Sequence, residues 1–247
     1  MVGELIKGEN MFSIEQMQSQ MGKIHNMDCL EFMRQVPDNY FDLVLTDPPY
    51  NIGIDGGKGW DTINNYEDFI KIVFSEFKRI SKRQLIFFDY KYTKLFEELE
   101  APFERFIWHR EGGFAGNWIK KGYEPFYVYG DIKNVPKIKN DYAKTDKRLK
   151  EEKSISNVWS IANIVGLKNE SVAHPTQKPI SLIKQALLMM ANNDDKIFDP
   201  FAGSCTTCVA AEALGLEWCA CELEPDYVEI GNQRLKLVQA DLFGAQG

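Results

Sequence analysis

The stretch Phe41-Asp-Leu-Val-Leu-Thr-Asp-Pro-Pro-Tyr50 constrains this chain more than any other. Leu43 to Thr46 has the length and composition of a buried strand, and the two prolines forbid the backbone to continue as strand or as helix. A rigid turn is therefore predicted at the strand's carboxyl end, where open α/β sheets place their ligands. Asp47 brings a carboxylate to that turn, and the Pro48-Pro49 pair fixes the direction of the Pro48 carbonyl. Two such acceptors aimed at the N–H bonds of an exocyclic amine would localise a lone pair otherwise conjugated into the heterocycle, and turn it toward a methyl donor. Tyr50 adds a flat face on which a base stacks, a contact worth roughly 1–3 kcal/mol elsewhere. The plainer alternative is a turn that only ends a strand.

Around this turn, strand and helix patterns alternate. Lys23 to Asp28 reads as a short strand ending in an acid, followed by a helix from Cys29 to about Gln35. Asp28 is placed either to cap that helix or to accept from the amino group of an adenine-like ligand. Phe69, Val73, Phe77 and Ile80 form one helical stripe, Gln84 to Asp89 is a buried strand, and Thr93 to Leu99 a short helix. Glu104 to His109 and Glu124 to Tyr129 are two further strands, with a glycine-rich stretch from Gly112 to Trp118 between them. The loop from Asn51 to Asp61 holds four glycines and Trp60, and reads as a flap over the turn or as a plain surface loop. Such alternation indicates a largely parallel sheet covered on both faces.

A second constellation lies near the carboxyl end of the chain. Lys196 to Asp199 is strand-like and runs into Pro200-Phe-Ala-Gly-Ser-Cys-Thr-Thr207, a tight turn of small residues that opens a helix closed by Gly215. Strand, small-residue turn and helix N-terminus make a cradle for a nucleotide-like cofactor. The next strand, Trp218 to Glu222, ends in an acid about twenty residues after the turn, the position from which a carboxylate reaches ribose hydroxyls. Pro179 and Pro225 each mark the start of an amphipathic helix.

Composition bounds the rest. The 247 residues are 44% apolar and 26% charged, which suits one α/β domain. No apolar run reaches membrane-spanning length and the first residues lack a signal-peptide core, so a cytoplasmic location is expected. The net charge of −7 argues mildly against nucleic acid, yet residues 131–153 carry eight Lys or Arg against five acids. That local excess, with Lys120-Lys121 beside it, is either a phosphate grip or a solvated loop. The five cysteines (Cys29, Cys205, Cys208, Cys219 and Cys221) are odd in number and poorly spaced for zinc, so neither a disulfide framework nor a metal site is expected.

Asp47-Pro-Pro-Tyr50, His174-Pro-Thr-Gln-Lys-Pro179 and Asp199-Pro-Phe-Ala-Gly-Ser-Cys-Thr-Thr207, in that order, resemble the adenine-N6/cytosine-N4 DNA methyltransferases. The order is that of their circularly permuted β group, whose catalytic motif precedes the cofactor motif. The likeness runs from about Lys23 to Val238, with fainter matches at Ile107-Trp108, Glu124-Pro125 and Val158-Trp159. It implies a doubly wound, mostly parallel, seven-stranded Rossmann-like methyltransferase sheet with an extra strand inserted antiparallel near one edge. It divides the chain into an N-terminal arm (1–22), a catalytic half (23–130), a target-recognition insertion (131–170) and a cofactor-binding half (171–247).

The resemblance further implies S-adenosylmethionine as methyl donor and double-stranded DNA as partner, with a base flipped out for reaction at adenine N6. Asp47, Pro48, Pro49 and Tyr50 would be catalytic. The cofactor's methionine portion would rest on Asp199, Pro200, Phe201, Ala202, Gly203, Ser204, Cys205 and Thr206. Its ribose would meet Glu222 and its adenine Asp28, with Thr176, Lys178 and Asp47 lining the same pocket. Cytosine N4 is the alternative target, and Asp before Pro-Pro-Tyr favours adenine by family habit. A homodimer and a cognate restriction enzyme are compatible with the resemblance, as are a methyltransferase of other substrates and a non-catalytic DNA-binding relative. Two positions depart from the family pattern. Cys205 stands where glycine is usual, and could crowd the cofactor or strain the turn. His109-Arg110 stand where Asp-Lys is common.

Overall fold

Short apolar runs supply eight strands of one sheet in the computed structural model, which describes residues 11–53, 59, 61–111, 122–130, 156–164, 171, 172 and 174–244. The strands are β1 (Ile24–Asn26), β2 (Phe41–Thr46), β3 (Ser81–Phe87), β4 (Glu104–Glu111), β5 (Tyr123–Gly130), β6 (Val158–Ala162), β7 (Lys196–Asp199) and β8 (Glu217–Glu222). They lie in the order β1-β8-β7-β2-β3-β5-β4-β6. Every neighbouring pair is parallel except the two that β5 makes with β3 and β4. The expected antiparallel insertion is therefore β5.

The strand count differs from expectation: eight, not seven. The additional strand is β6 at the outer edge, where Trp108 pairs with Trp159 and the Trp108 Nε1 donates to the Ile161 carbonyl at 2.9 Å. Only Trp159 is buried in it, so its alternation is too weak to read as a strand. Trp159 packs its ring against Phe106 and Phe126, with centroids 5.4 and 5.0 Å away.

The helices are α1 (Ile14–Gln18), α2 (Cys29–Met33), α3 (Tyr66–Ile80), α4 (Thr93–Leu99), α5 (Ile180–Met190), α6 (Thr206–Ala213) and α7 (Pro225–Gly244). They cover both faces. Leu43, Leu45, Leu85 and Phe87 point to the side of α5, α6 and α7, while Val44 and Ile86 point to the side of α2, α3 and α4. A central parallel strand buried on both faces must be apolar throughout, which is why β2 reads as a run and not as an alternation. In the arm, Ser13 and Gln16 form a capping box for α1, which sinks Met17 into the core.

β2 stops at Thr46 and β7 at Asp199, side by side in the sheet, and the Thr46 Oγ1 donates to Asp199 Oδ1 at 2.8 Å. The two loops singled out from the sequence thus leave from the carboxyl ends of two neighbouring central strands. The basic segment 131–153, Lys120-Lys121, the stretch from Gly112 to Trp118 and Trp60 lie outside the described residues. No described helix is long and apolar enough to cross a membrane.

Candidate functional site

At the carboxyl ends of β1, β8, β7 and β2 lies a cavity of about 310 Å³. Of the residues named from the sequence, all but Cys205 line it, although Asp47 and Glu222 come from opposite halves of the chain.

The turn after β7 is held from several sides. Phe201 N–H donates to Asp199 Oδ1 at 3.1 Å, Ala202 N–H to the Cys221 carbonyl at 2.9 Å, and Gly203 N–H to Glu222 Oε2 at 2.7 Å. Glu222 Oε1 accepts from Glu224 N–H at 2.8 Å, so the acid that ends β8 braces the turn as well as facing the cavity. The buried Arg234 of α7 donates to the Ser204 carbonyl and, at 3.1 Å, to Thr206 Oγ1. Asp28 caps α2, accepting from Leu30 and Glu31 N–H at 2.8 and 3.1 Å through Oδ1, and also lines the cavity. Both roles read for it from the sequence are compatible.

Cys205 has φ +64°, the backbone angle that glycine tolerates better, but its side chain does not enter the cavity. It packs instead on Gly231 of α7, where a Cβ would come within 2.8 Å of Cys205 Cβ. Cys205→Gly would relieve a left-handed residue, worth about 1–2 kcal/mol, and lose a buried thiol of comparable worth. The expected outcome is a thermal stability within about 1 kcal/mol of wild type and an unchanged cofactor affinity. A severalfold tightening on calorimetry would show that the thiol does crowd the cofactor.

The Asp-Pro-Pro-Tyr turn carries a buried ionic cluster that the sequence did not disclose. Lys178 Nζ donates to Asp47 Oδ2, to Glu124 Oε1 at 2.9 Å and to Tyr50 Oη at 3.2 Å. Tyr50 Oη donates to Glu124 Oε1 at 2.7 Å, and Arg110 Nη1 to Glu124 Oε2 at 3.3 Å. Burial works against the Lys178 ammonium, but Asp47 and Glu124 outweigh it and hold its pKa above the ordinary lysine value. The other oxygen, Asp47 Oδ1, is buried and has no hydrogen-bond partner among the described residues. Tyr66 Oη donates to the Pro49 carbonyl at 2.7 Å and fixes the far side of the turn.

Two further groups shape the cavity. Asp61, almost fully buried, accepts from Asn51 and Ile52 N–H at 2.7 and 3.0 Å, so it staples the two ends of the glycine-rich loop. His174 accepts from Thr176 N–H through Nδ1 at 3.3 Å, which leaves its proton on Nε2, and its ring lies over Gly203 and 4.4 Å from that of Tyr227. Burial, with Lys178 and Arg234 nearby, pushes its pKa down to about 4, so it is neutral at pH 7.

Glu124, Arg110, Asp61 and Tyr227 were not singled out as site residues from the sequence. The available signal was a charge inside an apolar strand run at Glu124 and the departure from the family pattern at Arg110. A second cavity, of about 360 Å³, shares Tyr50, Thr176, Gln177 and Lys178 with the first and continues to Tyr90, Trp108, Arg110 and Glu124. All five cysteines are buried thiols, and no group of His, Cys, Asp and Glu among the described residues could hold a metal ion.

Comparison with known proteins gives this geometry its context. A profile of the family described as DNA methylase matches residues 41–233. The DNA adenine methyltransferase YhdJ of Escherichia coli (strain K12) is 30% identical over 243 residues, which span 84% of this chain and 80% of the relative. The type II methyltransferase M.HinfI of Haemophilus influenzae is 28% identical over 247 residues, spanning 86% and 67%. In the crystal structure of the M1.HpyAVI–SAM complex the fold recurs with a TM-score of 0.61 at 21% identity, over 86% of this chain and 98% of that one. The cytosine-N4-specific PvuII DNA methyltransferase gives 0.61 at 18% identity, over 89% and 94%. Because the family profile spans the Asp-Pro-Pro-Tyr turn, the histidine motif and the cofactor turn alike, the chain belongs to the N6/N4 DNA methylase family.

Proposed function

We propose that the chain is a site-specific DNA methyltransferase that moves a methyl group from S-adenosylmethionine to N6 of adenine in double-stranded DNA, on a base flipped out of the helix. The observation that carries this reading is Asp47 Oδ1, a buried carboxylate oxygen without a partner beside the Pro48 carbonyl. An unsatisfied buried acceptor costs about 1–3 kcal/mol, which an arriving N–H donor recovers.

S-adenosylmethionine, the methyl donor of this family, supplies an electrophilic methyl group on a sulfonium when bound. The residues fit it: at Gly203 the turn is so close to His174 that a Cβ would lie 2.7 Å from Nε2, and acids stand at the ends of β7 and β8. Asp199 would hold the methionine amino group, Glu222 the ribose and Asp28 the adenine, with Thr176 and Lys178 beside them. Asp47 and the Pro48 carbonyl accept from the two N–H bonds of the target amine, which localises its lone pair, while Tyr50 stacks the base. Asp47 is the nearest base for the proton that the nitrogen sheds, with water as the alternative. The grip on DNA phosphates is assigned to the basic segment 131–153.

Adenine is preferred because Asp precedes Pro-Pro-Tyr and because YhdJ, named an adenine enzyme, is 30% identical. Cytosine N4 is the second reading, favoured by the cytosine-N4-specific PvuII enzyme among the solved folds. Incubation with labelled S-adenosylmethionine and mixed-sequence DNA, followed by digestion to nucleosides, separates them. Label in N6-methyl-2′-deoxyadenosine is expected; label in N4-methyl-2′-deoxycytidine transfers the assignment, and no label in DNA ends it.

The Asp199 carboxyl is pushed up to about 6 by burial, against hydrogen bonds from Thr207, Thr46 and Phe201 N–H. Its contribution to the stability of the free protein is therefore present below the ordinary carboxylate pKa and lost as the pH rises through about 6. A cationic ligand group beside it favours the ionised form, so cofactor binding runs the other way. Calorimetry is expected to show affinity falling as the pH is lowered through about 6, with a flatter profile for Asp199→Asn. Equal affinities at pH 5 and 7.5 would remove Asp199 from the cofactor's charged end.

A further inference from the structure

Glu124 is buried on a strand whose next residues, Pro125 to Tyr129, are all apolar or aromatic and buried. A carboxylate in that setting is costly unless its charge is answered. It is answered three times, by Lys178, Tyr50 and Arg110. The cluster balances: two carboxylates, Asp47 and Glu124, face two cations, Lys178 and Arg110.

The position of Lys178 gives that balance a direction. Its side chain, with Tyr50, Thr176 and Gln177, forms the partition between the two cavities. Asp47 lines only the first cavity and Glu124 only the second. The same ammonium thus holds one carboxylate on the cofactor side and another on the far side. An ammonium held tightly on Asp47 weakens that carboxylate as an acceptor for any further donor. The pull of Glu124 acts in the opposite sense, away from Asp47.

We propose that Glu124 is a positioning residue for methyl transfer, the second anchor that draws the Lys178 ammonium off Asp47 as the target amine arrives; this rests on the amine-methylation reading above. Lys178 then exchanges one carboxylate for another without crossing apolar space, because it is already bonded to both. Asp47 gains acceptor strength at the moment the amine needs it. Tyr50 stays in place through the same carboxylate, with its ring available for stacking. The groups facing Lys178 that must share the change are Asp47 and Tyr50 on the turn after β2, Glu124 on β5, Arg110 on β4 through Glu124, and His174 in its own motif.

The test is a double-mutant cycle read in single-turnover transfer from labelled S-adenosylmethionine to mixed-sequence DNA. Glu124→Gln keeps size and removes charge, and is expected to slow transfer at saturating cofactor about tenfold or more while calorimetric cofactor affinity stays within about twofold. In a Lys178→Met background no ammonium remains to be drawn off, so the further loss from Glu124→Gln is expected to shrink below about threefold. Glu124→Asp, which keeps the charge on a shorter stem, is expected to retain more transfer than Glu124→Gln. Equal losses in both backgrounds would reveal a packing role and overturn the proposal. It is overturned too by a Glu124→Gln rate close to wild type, by loss of cofactor binding in that protein, or by Glu124→Asp transferring no faster. A wild-type protein that labels no DNA removes the amine-methylation reading and this proposal together, whereas wild-type labelling with a failed cycle removes this proposal alone.

Discussion

Asp47→Asn is expected to lower methyl transfer by at least about a hundredfold, toward a thousandfold, the range seen when one preorganised hydrogen-bonding group is removed at a reacting centre. Cofactor affinity is expected to stay within a few fold. The reason lies in how the two oxygens are used. In the resting site Oδ2 is bound by the Lys178 ammonium, a donor only, so an Asn side chain turns its carbonyl toward Lys178. A flipped Asn would point its NH2 at that ammonium even after it shifts to Glu124. With the carbonyl on Lys178, the amide NH2 occupies the place of Oδ1 and meets the N–H bonds of the target amine donor to donor. Asn is thus no milder than Ala here, although it is nearly isosteric with Asp. Lys178 keeps Glu124 and Tyr50 in either variant, so the fold is not left with an unpaired buried ammonium. Single-turnover transfer beside calorimetric cofactor binding checks the expectation. An Asn variant within tenfold of wild type would mean that the carboxylate is not the acceptor, and the mechanism would need another group.

Parts of this site are legible in sequence because their chemistry is local. Two prolines after a buried strand, or small residues between a strand and a helix, force turns wherever the chain goes next. The left-handed angle anticipated at Cys205 follows from the same local reasoning, whereas the direction of its thiol does not, since Gly231 lies on a helix formed later in the chain. The cluster around Asp47 depends on pairings 131 residues apart for Lys178 and Asp47 and 74 apart for Tyr50 and Glu124. No periodicity marks such a pair. A charged residue before Pro125-Phe-Tyr-Val-Tyr129 signals that something must answer it, but only the sheet order, which sets β5 beside β3, shows what. Asp61 is the same case in a loop: an unremarkable acid in sequence, it proves almost fully buried and bonded to two backbone amides. Edge strand β6 escaped for the converse reason, because one buried residue is not a pattern.

Gly203→Ala is expected to be the most damaging small change in the cofactor half. Gly203 has φ +51°, which costs a residue with a Cβ about 1–2 kcal/mol. The added carbon would also lie 2.7 Å from His174 Nε2 and 3.2 Å from Cε1. That ring cannot swing aside freely, since Tyr227 lies against it and Thr176 N–H donates to its Nδ1. Forcing the two apart adds about 1–3 kcal/mol, so a melting temperature lower by several degrees is expected. The displacement also pulls on the Gly203 N–H bond to Glu222, and cofactor affinity is expected to drop at least about tenfold, the equivalent of one such hydrogen bond to a charged group. Gly215→Ala separates the two causes. It too has a positive φ, of +71°, but a Cβ there meets nothing within 4 Å. It therefore carries the backbone strain alone, at the far end of α6 from the cavity, and should lose stability without losing cofactor. Two variants with equal melting losses and equal affinities would mean that His174 yields, and that the contact between the histidine motif and the cofactor turn does not shape the cradle.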